Sequence, residues 1–209
     1  MTRRRSAAAA AAVSLALSVL LAGCGGPLLP GVTSTATGAA PAGRATASVD
    51  LEAARKAAGI ADCPADSKAK AVAGGLPDLT LDCLGGGSSV RLASLRGPML
   101  INLWAQWCEP CRSEAAHLSA FASTQKKVAV LGIDYSDPQP ELAIEFAQLT
   151  GMTFPHLVDE EHSLKGPLSV VGIPHSLLID AEGKIVARHP GQFISLENVQ
   201  QWVAEELAQ

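Results

Sequence analysis

The sequence predicts an α/β fold whose mixed central sheet is flanked by helices, and three observations lead to that class. Short apolar runs of β type alternate with helix-compatible stretches along residues 76–209. Glycine-containing turns join two pairs of these runs, which indicates an antiparallel hairpin near each end of the region. The strands between the hairpins are separated by helices, as parallel crossover connections require. A sheet with both strand directions, covered by helices on both faces, follows.

Each element is predicted from its apolar periodicity and from the residues that end it. A first helix is expected over residues 49–60, with Gly59 at its C-terminal end. An N-terminal hairpin follows, because Gly85-Gly86-Gly87 separates runs at residues 80–83 and 90–92. The other strands are expected at residues 99–105, 127–134, 156–158, 176–180 and 184–189. The other helices are expected at residues 108–124, 140–150 and 196–207.

The composition describes a soluble domain with extensions. The chain has 209 residues, of which 17% are charged, and its formal net charge is −4. Lysine and arginine do not cluster beyond the first five residues, whereas a phosphate backbone is held by such clusters. A nucleic-acid partner is therefore not expected.

The first residues have the pattern of an export signal. Arg3, Arg4 and Arg5 precede an uncharged run over residues 7–22, which is shorter than the roughly 20 residues that span a bilayer. Leu21-Ala22-Gly23-Cys24 then matches the bacterial lipobox, so residues 1–23 are predicted to be removed and Cys24 to be lipidated. A plain secretory signal with a coincidental cysteine is the alternative. Either interpretation places the mature protein outside the cytoplasm, and the lipobox anchors it to the cell membrane.

Three further segments complete the predicted organisation. Residues 24–48 are rich in Gly, Pro, Ala, Thr and Ser, with Arg44 as their one charge, and are expected to form a flexible linker. Residues 49–75 are expected to form an N-terminal helical extension. Residues 76–209, where the alternating pattern begins, are expected to form the main domain.

The chemistry concentrates at Trp107-Cys108-Glu109-Pro110-Cys111. Pro110 suits the first turn of a helix, which places Cys108 at the helix N-terminus. The helix dipole and free backbone N–H groups there lower the pKa of the thiol below about 8.5. Cys111 lies one turn deeper, so Cys108 is the candidate attacking sulfur and Cys111 the candidate resolving sulfur.

The cysteines also allow other interpretations. A Cys-x-x-Cys pair also begins many zinc sites, but Cys63 and Cys83 are 20 residues apart and supply no second pair, so neither a metal nor a cofactor is expected. A buried structural disulfide between Cys108 and Cys111 is a further alternative. Cys63 and Cys83 most simply form a structural bridge outside the cytoplasm, and a second redox pair that relays electrons is the alternative.

At this point the residues resemble a known family. Residues 101–114 read INLWAQWCEPCRSE, and Gly172-Ile173-Pro174 follows much later. Together they are similar to the membrane-anchored thioredoxin-like proteins of the TlpA/ResA type, over residues 76–209. The resemblance implies a thioredoxin fold and thiol–disulfide exchange outside the cytoplasm, many members reducing apocytochrome c. It also implies that Pro174 is a cis-proline facing the dithiol and that Glu114 is the acidic active-site residue.

Departures from that family pattern add further candidates. Asn102 stands where thioredoxins carry a buried Asp, which shifts proton acceptance to Glu114 or to water. His175 follows Pro174, and a cation so close to the sulfurs would favour the thiolate. Trp107, Pro174 and His175 are the candidate partner-binding residues. The remaining histidines, at positions 117, 156, 162 and 189, are expected to be surface or packing residues.

The expected function is reduction of disulfides in partner proteins such as apocytochrome c, with re-reduction by a membrane redox donor. An oxidase that passes electrons to a membrane acceptor and introduces disulfides into exported proteins is one alternative, because a shift of only about 30 mV, or roughly 1.4 kcal/mol, decides the direction. A thioredoxin-fold binding lipoprotein without catalysis is the other alternative.

Overall fold

The computed structural model describes residues 50–209. The predicted signal at residues 1–23, the lipidation site Cys24, the linker at residues 24–48 and Val49 lie outside the described residues. Within the described residues, the helices are α1 (Leu51–Ala57), α2 (Glu109–Thr124), α3 (Pro140–Thr150) and α4 (Leu196–Leu207). The strands are β1 (Thr80–Cys83), β2 (Val90–Arg91), β3 (Met99–Trp104), β4 (Ala129–Tyr135), β5 (His156–Asp159), β6 (His175–Ile179) and β7 (Ile185–Pro190).

One mixed sheet contains all seven of these strands, in the order β2-β1-β5-β4-β3-β6-β7. Strands β3, β4 and β5 run parallel, and every other pairing is antiparallel. The predicted mixed sheet and both hairpins are confirmed. The N-terminal hairpin continues the sheet, because β1 pairs with β5 through Asp82–Val158 and Cys83–Leu157.

The helices lie on one face of the sheet, so the expectation of helices on both faces is wrong for residues 50–209. Buried residues of α2, α3 and α4 share one core with Leu100, Trp104, Val130 and Leu178 of the sheet. The second core, on the opposite face, is closed by residues from the segments at 76–95 and 164–170. The physical reason is topological. The crossovers β3–α2–β4 and β4–α3–β5 are successive steps in one direction along the sheet, and right-handed connections then place both helices on the same side.

The local sequence explains most element boundaries. Helix α3 begins with Pro140 at its first position and ends at Gly151, whose φ of 71° is left-handed, as a glycine after a helix permits. The predicted strand at residues 90–92 is shorter, because Leu92–Ser94 forms a 3-10 turn. Helix α1 is shorter than the predicted residues 49–60, since it ends at Ala57 and Gly59 adopts a φ of 72°.

The extension around α1 contributes to the core of the domain. Ala58 and Ile60 are buried in the core that lies under the helices. Arg55 is also buried, and its guanidinium is 2.8 Å from the Asp62 carboxylate. The helix lies over the β1–β2 turn, where a Cβ on Gly85 would come within 2.7 Å of the Leu51 carbonyl oxygen. Among the helices of residues 50–209, none combines the length and apolar character needed to cross a membrane.

A buried polar contact joins the middle strands. The Trp104 indole donates a hydrogen bond to Nδ1 of His156 over 3.2 Å, so Nε2 carries the ring proton and donates to the Met152 carbonyl at 3.1 Å. Both rings cover Gly132, where a Cβ would lie 2.0 Å from His156 Nδ1. Burial lowers the pKa of His156 to about 4, so the ring stays neutral. We therefore interpret Trp104 and His156 as packing residues.

Candidate active site

Cys108 and Cys111 form a disulfide at the N-terminus of α2. Cys108 is the N-cap residue, with an extended backbone, and its Sγ accepts the Cys111 N–H at 3.3 Å. Glu109 and Pro110 form the start of the helix, where proline costs no intrahelical hydrogen bond. The sulfur of Cys108 thus faces a backbone donor and the positive end of the helix dipole, both of which favour a negative charge.

The loop before β6 faces this disulfide. The Ile173–Pro174 peptide bond is cis, as the resemblance implies. The Ile173 carbonyl oxygen lies 3.7 Å from Cys108 Sγ. Pro174 itself is buried, and Ile173 is partly exposed. The loop therefore presents its backbone at Ile173 next to the sulfur that the helix N-terminus activates.

Glu114 lies one turn from Cys111 on the buried side of α2 and is 0% exposed. Its Oε1 accepts a hydrogen bond from Asn102 Nδ2 at 2.8 Å, and its Oε2 accepts the Phe193 N–H at 2.9 Å. Asn102 also donates to Ser176 Oγ at 3.0 Å. Burial raises the pKa of Glu114 to about 7, against the two hydrogen bonds that favour the carboxylate. The carboxyl is therefore able to take or give a proton near neutral pH.

His175 differs from the expectation of a cation beside the sulfurs. It is 5% exposed, and neither ring nitrogen has a hydrogen-bond partner within residues 50–209. Burial lowers its pKa, and the nearby positive charge of Arg188 lowers it further, so the ring is neutral at pH 7. Along β6 it also alternates with Ser176, which faces Asn102 under the helices. His175 thus points to the opposite face and offers no surface to a partner.

An open cleft borders the active-site disulfide on one side. It has a volume of about 440 Å³, and its walls include Trp107, Cys108, Tyr135, Lys165, Val171 and Ile173. Trp107 is 53% exposed, and its Nε1 donates to the Ser136 carbonyl at 3.1 Å. Cys108, which is 5% exposed, lines this cleft, whereas Cys111 does not. A partner molecule approaching through the cleft meets the Cys108 sulfur first.

Sequence reasoning missed Asp134, Ser136 and His162. Asp134 is fully buried at the end of β4, and both of its oxygens lack hydrogen-bond partners in the described part of the chain. Burial raises its pKa to about 8, and the charges of Asp137 and Glu160 add to the effect. A carboxyl group inside an apolar strand was the available signal. Ser136 carries no signal of its own in the sequence, and the sequence predicts His162 to be a surface or packing residue.

The other two cysteines form a second disulfide. Cys63 and Cys83 are bonded with a Cα–Cα distance of 5.9 Å, and Cys63 Sγ lies 3.2 Å from the His156 carbonyl oxygen. No group of three or more histidine, cysteine, aspartate or glutamate side chains in residues 50–209 is arranged to hold a metal ion.

A disulfide at a helix N-terminus, opposite a cis-proline and open to a cleft, exchanges electrons with other cysteines. Such a disulfide, next to a mixed sheet of this topology, defines the class of thioredoxin-fold thiol–disulfide oxidoreductases. The chain belongs to the AhpC/TSA family, whose profile matches residues 72–188.

Similar proteins narrow the kind of oxidoreductase. The thiol-disulfide oxidoreductase ResA of Geobacillus kaustophilus is 31% identical over 122 residues, which cover 57% of this chain and 70% of that protein. The thiol:disulfide interchange protein DsbE of Pseudomonas fluorescens biotype C is 32% identical over 129 residues, covering 61% and 71%. The chain is therefore a thiol–disulfide oxidoreductase of the ResA/DsbE kind.

Solved structures agree on the fold. A secreted disulfide oxidoreductase of Mycobacterium tuberculosis, homologous to Escherichia coli DsbE, superposes with a TM-score of 0.54 at 24% identity, covering 61% of this chain and 96% of that one. A thio-disulfide isomerase of Thermus thermophilus superposes with a TM-score of 0.53 at 28% identity, covering 65% and 97%. The predicted thioredoxin fold is thus confirmed.

Proposed function

We propose that this protein reduces disulfides of partner proteins outside the cytoplasm, with Cys108 as the attacking residue and Cys111 as the resolving residue. The observation that carries the assignment of these two roles is the position of Cys108, whereas the reducing direction rests on the resemblance to the TlpA/ResA type. Its sulfur caps α2, accepts the Cys111 N–H at 3.3 Å and lines the open cleft. A thiolate at that position is stabilised and accessible, which is what an attacking sulfur needs.

The reaction begins with the reduced dithiol and transfers two electrons. The Cys108 thiolate attacks one sulfur of the partner disulfide, forms a mixed disulfide and releases the partner's other sulfur as a thiolate, which takes a proton. Cys111 then loses its proton and attacks the Cys108 sulfur. The Cys108–Cys111 disulfide forms, and the partner leaves with both of its cysteines reduced. A second dithiol, supplied by a membrane redox donor, must re-reduce the pair.

We assign the proton of Cys111 to Glu114. The two residues are one helical turn apart on the buried side of α2, and the pKa of Glu114 is about 7. A carboxylate with such a pKa accepts a proton from a thiol near neutral pH and later returns it. Asn102 carries no acidic group, so it orients the Glu114 carboxylate through its amide and leaves proton exchange to that residue.

We assign partner contact to Trp107 and to the backbone beside Pro174. Trp107 exposes an aromatic face next to Cys108, and the Ile173 carbonyl lies where an extended partner segment passes the sulfur. Apocytochrome c is the partner class that the family resemblance suggests. Because His175 is buried, its part is limited to packing behind the cis-proline.

The oxidising direction is the second candidate, and one observation favours it. The helix N-terminus and the Cys111 N–H stabilise the thiolate, hence the reduced form, which raises the oxidising power of the couple. In that direction the Cys108–Cys111 disulfide accepts a partner's electrons and introduces disulfides into exported proteins. The measured reduction potential decides between the two directions.

Trapping of partners tests the proposed function. In Cys111→Ser protein expressed in its native compartment, partners should accumulate as mixed disulfides on Cys108, because no resolving sulfur remains. Cys108→Ser is the matched control and should trap little. Trapped cytochrome c precursors favour reduction, and a broad set of exported proteins favours oxidation. Adducts that form mainly on Cys111 would overturn the assignment of roles.

We also propose that the protein is a lipoprotein, with its signal at residues 1–23, a linker at residues 24–48, an extension at residues 49–75 and its main domain at residues 76–209. The lipobox at residues 21–24 supports this proposal. Cys24→Ala should block lipidation and release or misprocess the protein, as membrane fractionation reports. A variant that is still cleaved and still bound to the membrane would refute the lipid anchor.

A further inference from the structure

Three loops meet beside Cys108 through a chain of hydrogen bonds. The Trp107 indole donates to the Ser136 carbonyl at 3.1 Å, and the Ser136 hydroxyl is hydrogen-bonded to Nε2 of His162. The His162 ring also packs on the Tyr135 ring, with centroids 5.3 Å apart. The side chain of Trp107 is thus connected to a loop that begins more than 50 residues later in the chain. We call these three residues, Trp107, Ser136 and His162, the indole clamp.

Two members of the indole clamp have strained backbones. Ser136 has a φ of 62° and His162 a φ of 57°, a left-handed conformation that residues other than glycine rarely adopt. Asp159 holds both, since its carbonyl oxygen accepts the Ser136 N–H at 3.0 Å and the His162 N–H at 3.4 Å. Strained residues that the surrounding structure holds in place concentrate at functional sites. Here both strained residues belong to the hydrogen-bond chain that ends at the Trp107 indole.

We propose that His162 is a positioning residue for partner recognition, which acts through Ser136 to hold the Trp107 indole as a fixed wall of the cleft. The inference rests on the proposed function, because the cleft receives the segment that carries the partner's reactive cysteine. Trp107 and Val171 are large hydrophobic side chains exposed in this cleft, at 53% and 91% exposure. The segment that fits has an apolar side chain next to its cysteine.

Fixing the indole matters because a half-exposed tryptophan otherwise loses its rotational freedom on each binding event. A side chain that is already held does not pay that entropy, so the partner binds more tightly. The effect is confined to partners that touch Trp107. A small disulfide that reaches only the Cys108 sulfur gains nothing from the indole clamp. His162 should therefore change KM for a polypeptide and leave the thiol chemistry alone.

The test compares two kinds of substrate in the full-length protein. The first is a pair of synthetic peptides with an intramolecular disulfide, one with leucine and one with glycine next to the attacked cysteine. The second is hydroxyethyl disulfide. In His162→Ala, KM for the leucine peptide should rise about three- to tenfold with kcat unchanged, as expected when one side chain is no longer held. Rates with hydroxyethyl disulfide should stay at the wild-type value, and discrimination between the two peptides should shrink.

Further variants separate positioning from general damage. His162→Gln keeps a side chain that can hydrogen-bond to the Ser136 hydroxyl and should restore most of the affinity. Ser136→Ala removes only the hydroxyl and should reproduce His162→Ala, which keeps the test decisive where His162→Ala does not fold. His117→Ala on α2 is the matched control and should behave as wild type. Acrylamide quenching adds a spectroscopic readout of Trp107, which is 53% exposed, because Trp104 is only 2% exposed and the partly exposed Trp202 is the same in every variant. Quenching should increase when the indole clamp is broken.

Unchanged KM for the leucine peptide in both His162→Ala and Ser136→Ala would overturn the inference. An equal loss with hydroxyethyl disulfide would also overturn it, because the effect would then lie in the sulfur chemistry. A wild-type protein that exchanges with neither substrate would refute the proposed function instead.

Discussion

The two disulfides of this domain are the same kind of bond in very different surroundings. Cys108 and Cys111 are 3 residues apart at a helix N-terminus, whereas Cys63 and Cys83 are 20 residues apart and join the segment after α1 to strand β1. Cys108 Sγ accepts a backbone N–H at 3.3 Å and has the Ile173 carbonyl oxygen farther away, at 3.7 Å, whereas Cys63 Sγ lies 3.2 Å from the His156 carbonyl oxygen. A donor stabilises a thiolate and a carbonyl oxygen repels it. These surroundings favour a reactive bond at Cys108–Cys111 and a structural bridge at Cys63–Cys83.

Distance separates the two bonds as well. Strand β1, which carries Cys83, lies three positions from β3, which leads to Cys108. With neighbouring strands about 4.8 Å apart, that is roughly 14 Å across the sheet. Direct exchange between the disulfides needs sulfurs in contact, so this arrangement favours a structural bridge over an electron relay.

The strongest test of this contrast is activity. Cys108→Ser should lower insulin reduction by at least ~10³-fold, because no other group replaces the attacking sulfur. The double variant Cys63→Ser/Cys83→Ser should keep the specific activity of the folded protein. Turbidity assays with dithiothreitol as the reductant measure both. A double variant that is folded but as inactive as Cys108→Ser would support the alternative in which Cys63 and Cys83 relay electrons to the active site.

Stability should show the opposite pattern. Removing the bridge between Cys63 and Cys83 opens a loop of about 21 residues and should cost about 3 kcal/mol of unfolding free energy on the chain-entropy model. Reducing only Cys108–Cys111 should cost far less, since its loop is so short. Urea unfolding of the double variant and of the wild type measures the difference. Equal stability of the two proteins would mean that the bridge does not hold α1 and the hairpin together.

The reduction potentials should differ in the same sense. In glutathione buffers, Cys108–Cys111 should be reduced at a potential at least ~30 mV less negative than Cys63–Cys83, about tenfold in the equilibrium constant. The helix N-terminus stabilises the reduced form of the first pair, and the closed loop stabilises the oxidised form of the second. Mass spectrometry of alkylated samples reads each pair separately. A reversed order would contradict the assignment of roles.

Local signals in the sequence account for much of the active site. Pro110 and the end of the preceding strand were enough to place Cys108 at a helix N-terminus, and Gly151 was enough to end α3. These features depend on neighbouring residues, which a sequence displays directly. The family resemblance supplied what neighbours do not, the cis isomer of Pro174 and the acidic role proposed for Glu114.

The rest depends on residues far apart in the chain. The bond from the Phe193 N–H to Glu114 spans 79 residues, and that between Ser136 and His162 spans 26. The position of His175 on the other face follows from the pleat of β6, and it turns an expected cation into a neutral packing residue. Neither periodicity nor spacing in the sequence predicts such contacts, because they depend on which strands become neighbours in the sheet.

The active-site disulfide also differs from the other in having a buried carboxyl, that of Glu114, one helical turn away. Glu114→Gln is expected to have the smallest effect of the variants proposed here. Glu114 must be deprotonated to accept the Cys111 proton, so resolution of the mixed disulfide should speed up as pH rises through about 7. In Glu114→Gln that rise should vanish. The rate above pH 7 should fall about fivefold, a modest loss because a thiol also titrates by itself near pH 8 to 9. Stopped-flow kinetics with a peptide mixed disulfide on Cys108 measures it.

Asp134→Asn is the matched control, because Asp134 is also a buried carboxyl with a raised pKa, of about 8. Each carboxyl has a higher pKa in the folded than in the unfolded chain. The contribution of each carboxyl to the stability is therefore fully present below its pKa in the unfolded chain. It is lost as the pH rises through the pKa in the folded chain. Both variants should flatten this fall in unfolding free energy with pH. For Glu114 the fall lies between about pH 4.5 and pH 7, and for Asp134 between about pH 3.8 and pH 8. Only Glu114→Gln should change the pH profile of resolution. Equal kinetic effects of the two variants would mean that burial of charge on this face, rather than proton transfer from Cys111, controls the reaction.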